Sequence, residues 1–304
     1  MLRQKRHQNG LVIGFHNKQK VAYSLISCVS TFNWCLKARF TRRSMGFALN
    51  NPRLALLLAS GRVSYEEMLR TLVKNDIELL RRRAREALSA DNFLELPDEE
   101  LAQSLRRVAP AKAVWSWRLL NNWHSFLYMA VRAYSPALVI ETGVLYGHSS
   151  AAILAALEDN RKGQLISIDL PSEAHQNVIV GRQHIQVGLS SNILSVGCAI
   201  PVHLRSRWNL RLGDSLKLLP NLLEETGPIS IFIHDSLHTY DHMMAEYRIG
   251  YDALEKSGLL ISDDVGYNSA WPDFCKSKKE NLRYLSKSSR DEDKFGFLIK
   301  SSSN

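Results

Sequence analysis

The sequence predicts an α/β fold in which a mostly parallel sheet of seven strands lies between helices. From about residue 137, short apolar runs alternate with helical segments, the pattern of parallel strands covered by crossover helices. Polar turns follow several of these runs, as expected where the strands of an open sheet end. With 304 residues, 45% hydrophobic and 23% charged, the chain can bury a full core.

The strands are predicted from these apolar runs and from the turn residues around them. Six strands are predicted at residues 137–141, 165–169, 210–212, 229–234, 259–263 and 295–300, and a weaker run at 282–285 gives the seventh. Residues 170–208 form a long connection between the second and third strands, and such connections often cover active sites. We therefore predict one catalytic domain over residues 134–304.

Residues 45–133 have helical signals and are predicted to form a helical accessory region. Pro52 suits a first helical turn, and Gly61 is placed to end that helix. Ser64 and Glu67 have the spacing of a capping box, so a long helix is expected from residue 65 to about 90.

Residues 1–44 form a basic leader. Residues 1–65 hold eleven Lys or Arg and no Asp or Glu, in a chain of net charge +9. Such a leader is typical of a polyanion-binding arm, a membrane-surface contact or an organellar presequence, and the alternative is a solvated, flexible extension. Its apolar stretch, residues 21–36, is shorter than the roughly 20 residues needed to cross a bilayer, so no transmembrane segment is predicted.

The cysteines indicate a reducing compartment. The four are spread along the chain without CxxC spacing, which favours neither a disulfide framework nor a thiolate zinc site. We expect a cytoplasmic protein, with a peripheral position at a membrane left open by the leader.

The turn after the first predicted strand has the features of a ligand site. Gly143 and Gly147 lie between that strand and a helix expected to begin near Ser149, where glycine lets the backbone approach a ligand closely. The same glycine pair also occurs in purely structural turns. Asp169, at the tip of the second strand, is placed to accept hydrogen bonds from a ribose. The spacing differs from GxGxxG, which argues against a pyrophosphate ligand.

Several segments together resemble the class I S-adenosylmethionine (SAM)-dependent methyltransferases, in particular the small-molecule and sugar O-methyltransferases of the methyltransferase domain 24 branch. The segments are ETGVLYGHSS (141–150), SIDLP (167–171), WNLRLGDS (208–215), IHDSLHTY (233–240) and LISDD (260–264). The resemblance covers about residues 115–300 and implies a Rossmann-like fold. It implies SAM binding by Glu141, Gly143, Tyr146, Gly147, Ser149, Asp169, Asp214 and Ser215.

The resemblance also implies a catalytic centre at the tips of the fourth and fifth strands. In metal-dependent O-methyltransferases, acidic or amide residues there hold Mg²⁺, which implies Asp235, Asp263 and Asp264 as ligands here. His238, three residues after the first of them, is the implied general base, with Asp235 beside it. The commoner pair on the fifth strand is Asp-Asn, and the alternative for Asp263 and Asp264 is a solvated loop with a helix cap.

The predicted function is SAM-dependent, Mg²⁺-assisted methylation of a hydroxyl on a sugar or glycosylated small molecule. One alternative is an RNA or protein methyltransferase that uses the basic leader, although charge is its only support and nucleic acid is not the expected partner. The other is a binding or scaffold protein that kept the fold without catalysis. Association into a homo-oligomer is left open.

Overall fold

The computed structural model describes residues 52–87, 93–109, 120–171, 176–180, 183–187, 194–287 and 293–301. The basic leader lies outside the described residues, and with it the predictions of a polyanion-binding or membrane-binding arm. Contacts divide the chain into two units, with the boundary after Met68. Across the described ranges, no helix combines the length and apolar character needed to cross a membrane.

The described part of the first unit, residues 52–68, holds helix α1 (Pro52–Ala59) and the start of helix α2 (Tyr65–Ala87). The backbone N–H of Ser64 donates to Glu67 Oε2 at 2.7 Å, and the N–H of Glu67 donates to Ser64 Oγ at 3.2 Å. These reciprocal bonds confirm the predicted capping box, which satisfies two backbone donors that a helix start otherwise leaves without partners.

The second unit contains the sheet. Its helices after α2 are α3 (Asp98–Val108), α4 (Asn122–Tyr134), α5 (His148–Asp159), α6 (Ser215–Thr226), α7 (Tyr240–Ala253) and α8 (Ala270–Lys278). Its strands are β1 (Leu138–Thr142), β2 (Gln164–Asp169), β3 (Gln176–Val180), β4 (Gln183–Val187), β5 (Trp208–Leu212), β6 (Ile229–His234), β7 (Leu254–Ser262), β8 (Tyr284–Ser286) and β9 (Lys294–Ile299).

Seven strands form one sheet in the order β5-β2-β1-β6-β7-β9-β8, and β3 pairs with β4 in a separate hairpin. The five strands from β5 to β7 are parallel, and β9 is antiparallel to both β7 and β8. The predicted seven-stranded, mostly parallel sheet is confirmed. The hairpin lies within the long connection predicted over residues 170–208 and was not itself predicted.

Helices cover both faces of the sheet, which is why its central strands are apolar throughout. All six residues of β6 are buried, as expected for a parallel strand covered on both sides. Helix α4 packs the Phe126 ring 4.9 Å from the rings of Phe295 and Phe297 on β9. The helix thus forms part of the same core as the sheet and fixes its antiparallel edge.

Candidate active site

The candidate site lies where the strand order reverses between β1 and β6. The chain leaves β1 toward β2 on one side, and β6 continues toward β7 on the other. In open α/β sheets, a crevice forms at such a point outside the carboxyl ends of the strands, and ligands bind there. The loops that begin at Gly143, Asp235 and Asp263 all leave the sheet at this edge.

Gly143 and Gly147 are required by the packing of the protein itself. Both have positive φ, +86° and +88°. A Cβ at Gly143 would overlap the carbonyl oxygen of Asp235, and a Cβ at Gly147 would lie 2.6 Å from Ile200 Cγ1. Gly143 therefore lets the loop after β1 pass directly over the loop after β6, which brings the predicted cofactor and catalytic residues together, while Gly147 lets the same loop pack closely against Ile200.

Asp169 organises the same loop from the end of β2. Its Oδ2 accepts the backbone N–H of Val144 at 3.1 Å and of Leu145 at 2.7 Å, while Oδ1 accepts the N–H of Leu170 at 2.7 Å. Burial raises the pKa of Asp169, and these three hydrogen bonds act against the increase. The carboxylate predicted to bind ribose thus also fixes the shape of the glycine loop.

Glu141 lies inside the protein at the end of β1, with no exposed surface. Its Oε2 accepts the hydroxyls of Ser150 at 2.6 Å and Ser167 at 2.8 Å, and Oε1 is buried without a hydrogen-bond partner among the described residues. Burial raises the pKa of Glu141 to about 7, against the hydrogen bonds of nearby serines including Ser149. An unpartnered carboxyl oxygen at this position is what a donor group of a bound ligand would satisfy.

The other residues predicted on this loop lie beside Glu141. Ser149 is buried in the first turn of α5, and Tyr146 is half-buried with its ring 6.0 Å from that of His148. The backbone oxygen of Tyr146 accepts the N–H of Ala199 at 2.9 Å. The backbone of the turn is therefore fixed at Tyr146, while the tyrosine side chain remains partly exposed.

Asp214 and Ser215 have partners within the protein at the start of α6. Asp214 caps the helix by accepting the N–H of Leu216 at 3.0 Å. The hydroxyl of Ser215 donates to Glu246 Oε1 in a short hydrogen bond. Their implied role in SAM binding stays a prediction, and it would require backbone groups or a second contact.

Glu246, on α7, is the centre of a buried network that the sequence did not indicate. It has no exposed surface. Each carboxylate oxygen has several partners, which come from four segments around the crevice. Oε1 bonds to Ser215, Ser236 and His242, and Oε2 bonds to Thr142 and His234. The histidine interactions keep the pKa of Glu246 well below its usual value, although burial acts in the opposite direction.

His238 is buried between two carboxylates without touching either. Its Nε2 lies 3.8 Å from Asp235 Oδ1, and its Nδ1 lies 3.9 Å from Asp264 Oδ2, which are too long for hydrogen bonds. Neither ring nitrogen has a hydrogen-bond partner among the described residues. Burial, followed by the nearby His234 and Lys287, lowers the pKa of His238 well below 6.5, so the ring is neutral at pH 7.

Three carboxylates meet beside this histidine, as the sequence predicted. Burial is the main reason why the pKa values of Asp235 and Asp263 are raised, that of Asp263 to about 6. The charge of Asp264 raises both pKa values further, and the charge of Asp263 also raises that of Asp235. Such a cluster needs a positive charge close by to remain ionised.

That charge comes from Lys287, at the end of β8. Its Nζ lies 2.8 Å from Asp263 Oδ1 and 2.5 Å from Asp264 Oδ1. Burial alone would lower the pKa of Lys287, but its charge interactions and hydrogen bonds with the two carboxylates raise it above 10.5. The ammonium group is therefore charged throughout the physiological range.

The predicted magnesium site is not supported. Within the described ranges, no group of three or more His, Cys, Asp or Glu side chains is arranged to hold a metal ion. The physical reason lies in Lys287, whose ammonium group occupies the space between the two carboxylates that the metal would need. As arranged, the three aspartates do not fit a divalent cation.

Two residues of the site were missed by the sequence reasoning. Glu246 gives a weak signal, because it is a carboxylate four residues after His242, among the apolar Met243, Met244 and Tyr247 of one helix. Lys287 gives none, since it lies more than twenty residues beyond the carboxylates it pairs with. Only the antiparallel pairing of β8 and β9 brings it to the site.

A cavity of about 560 Å³ lies elsewhere, lined by residues before β6 and at the start of β7, including Pro228 and Leu254. These are the amino ends of the strands, opposite the candidate site. A second cavity of about 210 Å³ is lined by α3 and by the end of β8, including Leu105, Leu285 and Lys287. Lys287 thus lies between this second cavity and the carboxylates.

Comparison with known proteins agrees with this geometry. Residues 140–265 match a family model described as a methyltransferase domain. A search of the curated proteins finds no match.

Similar solved structures include an O-methyltransferase from Bacillus cereus in complex with SAH, 15% identical, with a TM-score of 0.44 over 75% of this chain and 100% of that one. Another is an O-methyltransferase from Streptomyces achromogenes involved in tomaymycin synthesis, in complex with SAM, 13% identical, with a TM-score of 0.44 over 79% of this chain and 100% of that one. An SAH-bound methyltransferase from Podospora anserina is 13% identical, with a TM-score of 0.42 over 75% of this chain and 96% of that one.

The assignment rests on the family match and on the strand order, not on these similarity scores. The matched residues begin in β1 and end just after Asp264, so they include the glycine loop, Asp169, His238 and the carboxylate pair. Residues 140–265 therefore match a methyltransferase domain, and the sheet that they help to build has the strand order of a Rossmann-like α/β fold.

Proposed function

We propose that this protein transfers the methyl group of SAM to a hydroxyl oxygen of a small molecule, with His238 as the general base. The observation that carries the proposal is the state of that histidine. It is buried, neutral and unpartnered at both ring nitrogens among the described residues, and it lies at the carboxyl edge of the sheet. A neutral imidazole without a hydrogen-bond partner is free to accept a proton.

The reaction is a displacement at the methyl carbon of a sulfonium. The acceptor oxygen forms a bond to the methyl group as the bond from carbon to sulfur breaks, and the hydroxyl proton is lost. His238 would take that proton. Asp235 and Asp264, on either side of the ring at 3.8 and 3.9 Å, would stabilise the imidazolium that forms.

The cofactor end of the site fits a ligand that carries hydrogen-bond donors. The buried Oε1 of Glu141 has no hydrogen-bond partner among the described residues, and an amino group of SAM would satisfy it. Asp169 holds the turn at Val144 and Leu145, so the backbone there is fixed before any ligand binds. A fixed loop loses little conformational entropy on binding.

The proposal contains no step through a metal ion, because Lys287 occupies the carboxylate pair. Magnesium assistance, which the carboxylates and the resemblance to metal-dependent O-methyltransferases implied, stays a prediction that the titration below tests.

A sugar or glycosylated small molecule is the proposed acceptor, on the strength of the resemblance to the sugar-modifying branch. The cavity of about 210 Å³ beside Lys287 would take only part of such a molecule. For the alternative RNA or protein substrate, the supporting charge lies in the leader, outside the described residues.

The first test is isothermal titration with SAM and with S-adenosylhomocysteine, in the presence and absence of Mg²⁺. We expect micromolar binding that Asp169→Ala weakens at least tenfold, because the glycine loop loses its anchor. Asp252→Ala, at a 68%-exposed surface aspartate, is the control and should bind normally. An absence of binding by the folded protein would overturn the proposal and favour a scaffold role.

Acceptor identity would follow from a screen with labelled SAM, beginning with sugars and glycosides. Transfer to a hydroxyl supports O-methylation. Transfer only to an amine or to RNA would replace the proposed acceptor class without changing the cofactor.

A further inference from the structure

We propose that Lys287 is a built-in cation that replaces a divalent metal ion on the pair Asp263 and Asp264, so that the site works without metal. The inference rests on the proposed function, in that it concerns the same catalytic centre. Lys287 acts through the carboxylates and is a positioning residue.

The distances indicate that ammonium and metal compete for one position. Lys287 Nζ is within hydrogen-bond distance of Oδ1 of both aspartates, at 2.8 and 2.5 Å. Mg²⁺ would need the same oxygens at about 2.0–2.1 Å. A metal ion bound to both would lie too close to the ammonium group, and the two positive charges would repel each other strongly in a buried site.

Because Asp263 and Asp264 are largely buried, the competition favours the ammonium group over a metal ion. The side chains of Lys287, Asp263 and Asp264 are 16%, 10% and 18% exposed, so little water is available to screen the charges. A lysine in this place must leave before a metal enters, and its own charge would then be left in a largely buried position.

The backbone around Lys287 holds it in place. Its N–H donates to the carbonyl of Asp293 at 2.6 Å, and the N–H of Val265 donates to the carbonyl of Lys294 at 3.0 Å. The first bond closes the connection between β8 and β9, and the second joins β9 to the loop that carries Asp264. Lysine and carboxylates are therefore attached to the same part of the sheet.

The consequence for the site concerns Asp264. Its backbone has φ +50°, a conformation that non-glycine residues seldom adopt. Lys287 binds its Oδ1, which leaves Oδ2 directed at His238 Nδ1, 3.9 Å away. The lysine thus fixes one carboxylate beside the proposed base and leaves no open coordination position for Lewis-acid activation of the acceptor.

The test measures metal binding directly, with Mn²⁺ as the probe and electron paramagnetic resonance as the readout. Lys287→Met removes the charge and keeps the length of the side chain, whereas Lys287→Arg keeps the charge. Lys278→Met is the matched control, because Lys278 pairs with Asp252 at 2.8 Å on the surface. We expect negligible binding to the wild type and to the Arg and Lys278 variants.

Lys287→Met should bind Mn²⁺ at least tenfold more tightly than the wild type, and adding Asp264→Asn should remove the gain. Wild-type protein that binds Mn²⁺ with micromolar affinity, weakened by Asp264→Asn, overturns the inference, as does a folded Lys287→Met without any gain. If Lys287→Met does not fold, the wild-type titration alone decides.

The SAM titration separates this inference from the proposed function. Loss of SAM binding in every variant, the wild type included, would count against the function and leave the metal result standing. Normal SAM binding together with wild-type Mn²⁺ binding would count against the inference alone.

Discussion

At the scale of single residues, the candidate site is defined by polar groups in unusual environments. His238 has two buried ring nitrogens without partners among the described residues, Glu141 has one such carboxyl oxygen, and Asp264 has a positive φ. Each of these states opposes stability, by burial or by strain, and such features gather at functional sites. Substituting one of these residues should therefore affect stability and activity differently.

Replacing His238 with alanine should lower turnover by about 10²- to 10⁴-fold, the usual contribution of a general base. The affinity for SAM should stay within twofold, because His238 is not among the residues predicted to bind SAM. Single-turnover assays with the acceptor found by screening measure the first quantity, and titration measures the second. His203→Ala, at an exposed histidine, is the control; equal turnover in both variants would remove His238 from the mechanism.

Gly143→Ala should destabilise the fold by about 3 kcal/mol or more, since strain from a positive φ adds to overlap with the Asp235 carbonyl. Gly227→Ala is the matched control, because Gly227 has φ +71° but no atom within 4 Å of its added Cβ. It should lose less stability than Gly143→Ala, because only its backbone conformation, φ +71° with ψ −158°, opposes a side chain there. Urea unfolding compares the two, and similar losses would show that the close packing of the two loops is not needed.

The raised pKa of Glu141 predicts that the free energy of unfolding depends on pH. Its folded pKa of about 7 lies above the ordinary 4.5, so the folded state keeps a proton that the unfolded state has lost. The stabilisation is complete below pH 4.5 and disappears as the pH rises through 7, a change of about 3 kcal/mol.

Glu141→Gln should flatten that decline in the free energy of unfolding between pH 5 and 8. It keeps an oxygen for the hydroxyls of Ser150 and Ser167. Glu225→Gln, at a 66%-exposed glutamate, controls for the loss of a charge. Parallel pH profiles for the wild type and Glu141→Gln would refute the assignment.

At the scale of elements, close packing of helices on the sheet positions the loops of the site. Gly250 on α7 lies against the Phe232 ring of β6, and a Cβ there would overlap the ring. Helix α7 also carries Glu246, so the depth at which it packs decides whether that carboxylate reaches the strand tips.

Gly250→Ala should therefore destabilise the protein by about 1–3 kcal/mol through overpacking, although Gly to Ala within a helix ordinarily stabilises by about 1 kcal/mol. Adding Phe232→Leu should recover part of the loss, so the double variant should lose less than the sum of the single ones. Chemical denaturation of the four proteins gives the cycle, and a stabilised Gly250→Ala would contradict the packing described.

The elements also show which parts of the structure were predictable. The capping box of α2 and the strand β6 were predicted because their signals are local: two side chains three residues apart, and an unbroken apolar run. Strand β7 begins at Leu254, earlier than predicted, because Glu255, Lys256 and Ser257 break the apolar pattern at an exposed end. The hairpin β3–β4 was not predicted, because its two strands pair with each other and do not continue the pattern of the main sheet.

The candidate site likewise contains residues that could be predicted from the sequence and residues that could not. Asp235, His238, Asp263 and Asp264 could be predicted to meet, since parallel strands end at one edge of a sheet. The partners of Ser215 and Asp214 could not, because nothing near them in the sequence distinguishes an inward-facing hydroxyl from one that faces a ligand. Lys287 depends on an antiparallel pairing far along the chain.

At the scale of the whole molecule, the family match begins at residue 140, yet the core extends beyond it. Trp123 and Phe126 of α4 pack against the Phe295 ring at 5.3 and 4.9 Å, and Arg283 binds Asp98 and the carbonyls of Leu94 and Leu96. The sheet thus depends on residues outside the match.

A chain shortened to residues 134–304 should consequently fail to fold cooperatively. Phe126→Ala in the full chain should lose about 3–5 kcal/mol. Near-ultraviolet circular dichroism and thermal unfolding measure both, with the unaltered full chain as the reference. A shortened chain that unfolds in one sharp transition and binds SAM would show that the helices are dispensable.

The Glu246 network also limits how this protein can change over generations. Five side chains from the ends of β1 and β6, the start of α6 and α7 itself share one buried carboxylate. Replacing any one of them leaves a buried oxygen of Glu246 with fewer partners. An evolutionary change that preserves stability therefore requires two or more substitutions together. New acceptor preferences should therefore arise outside this network, at positions such as Tyr267, whose ring lies 5.8 Å from that of His238, while the residues around Glu246 change slowly.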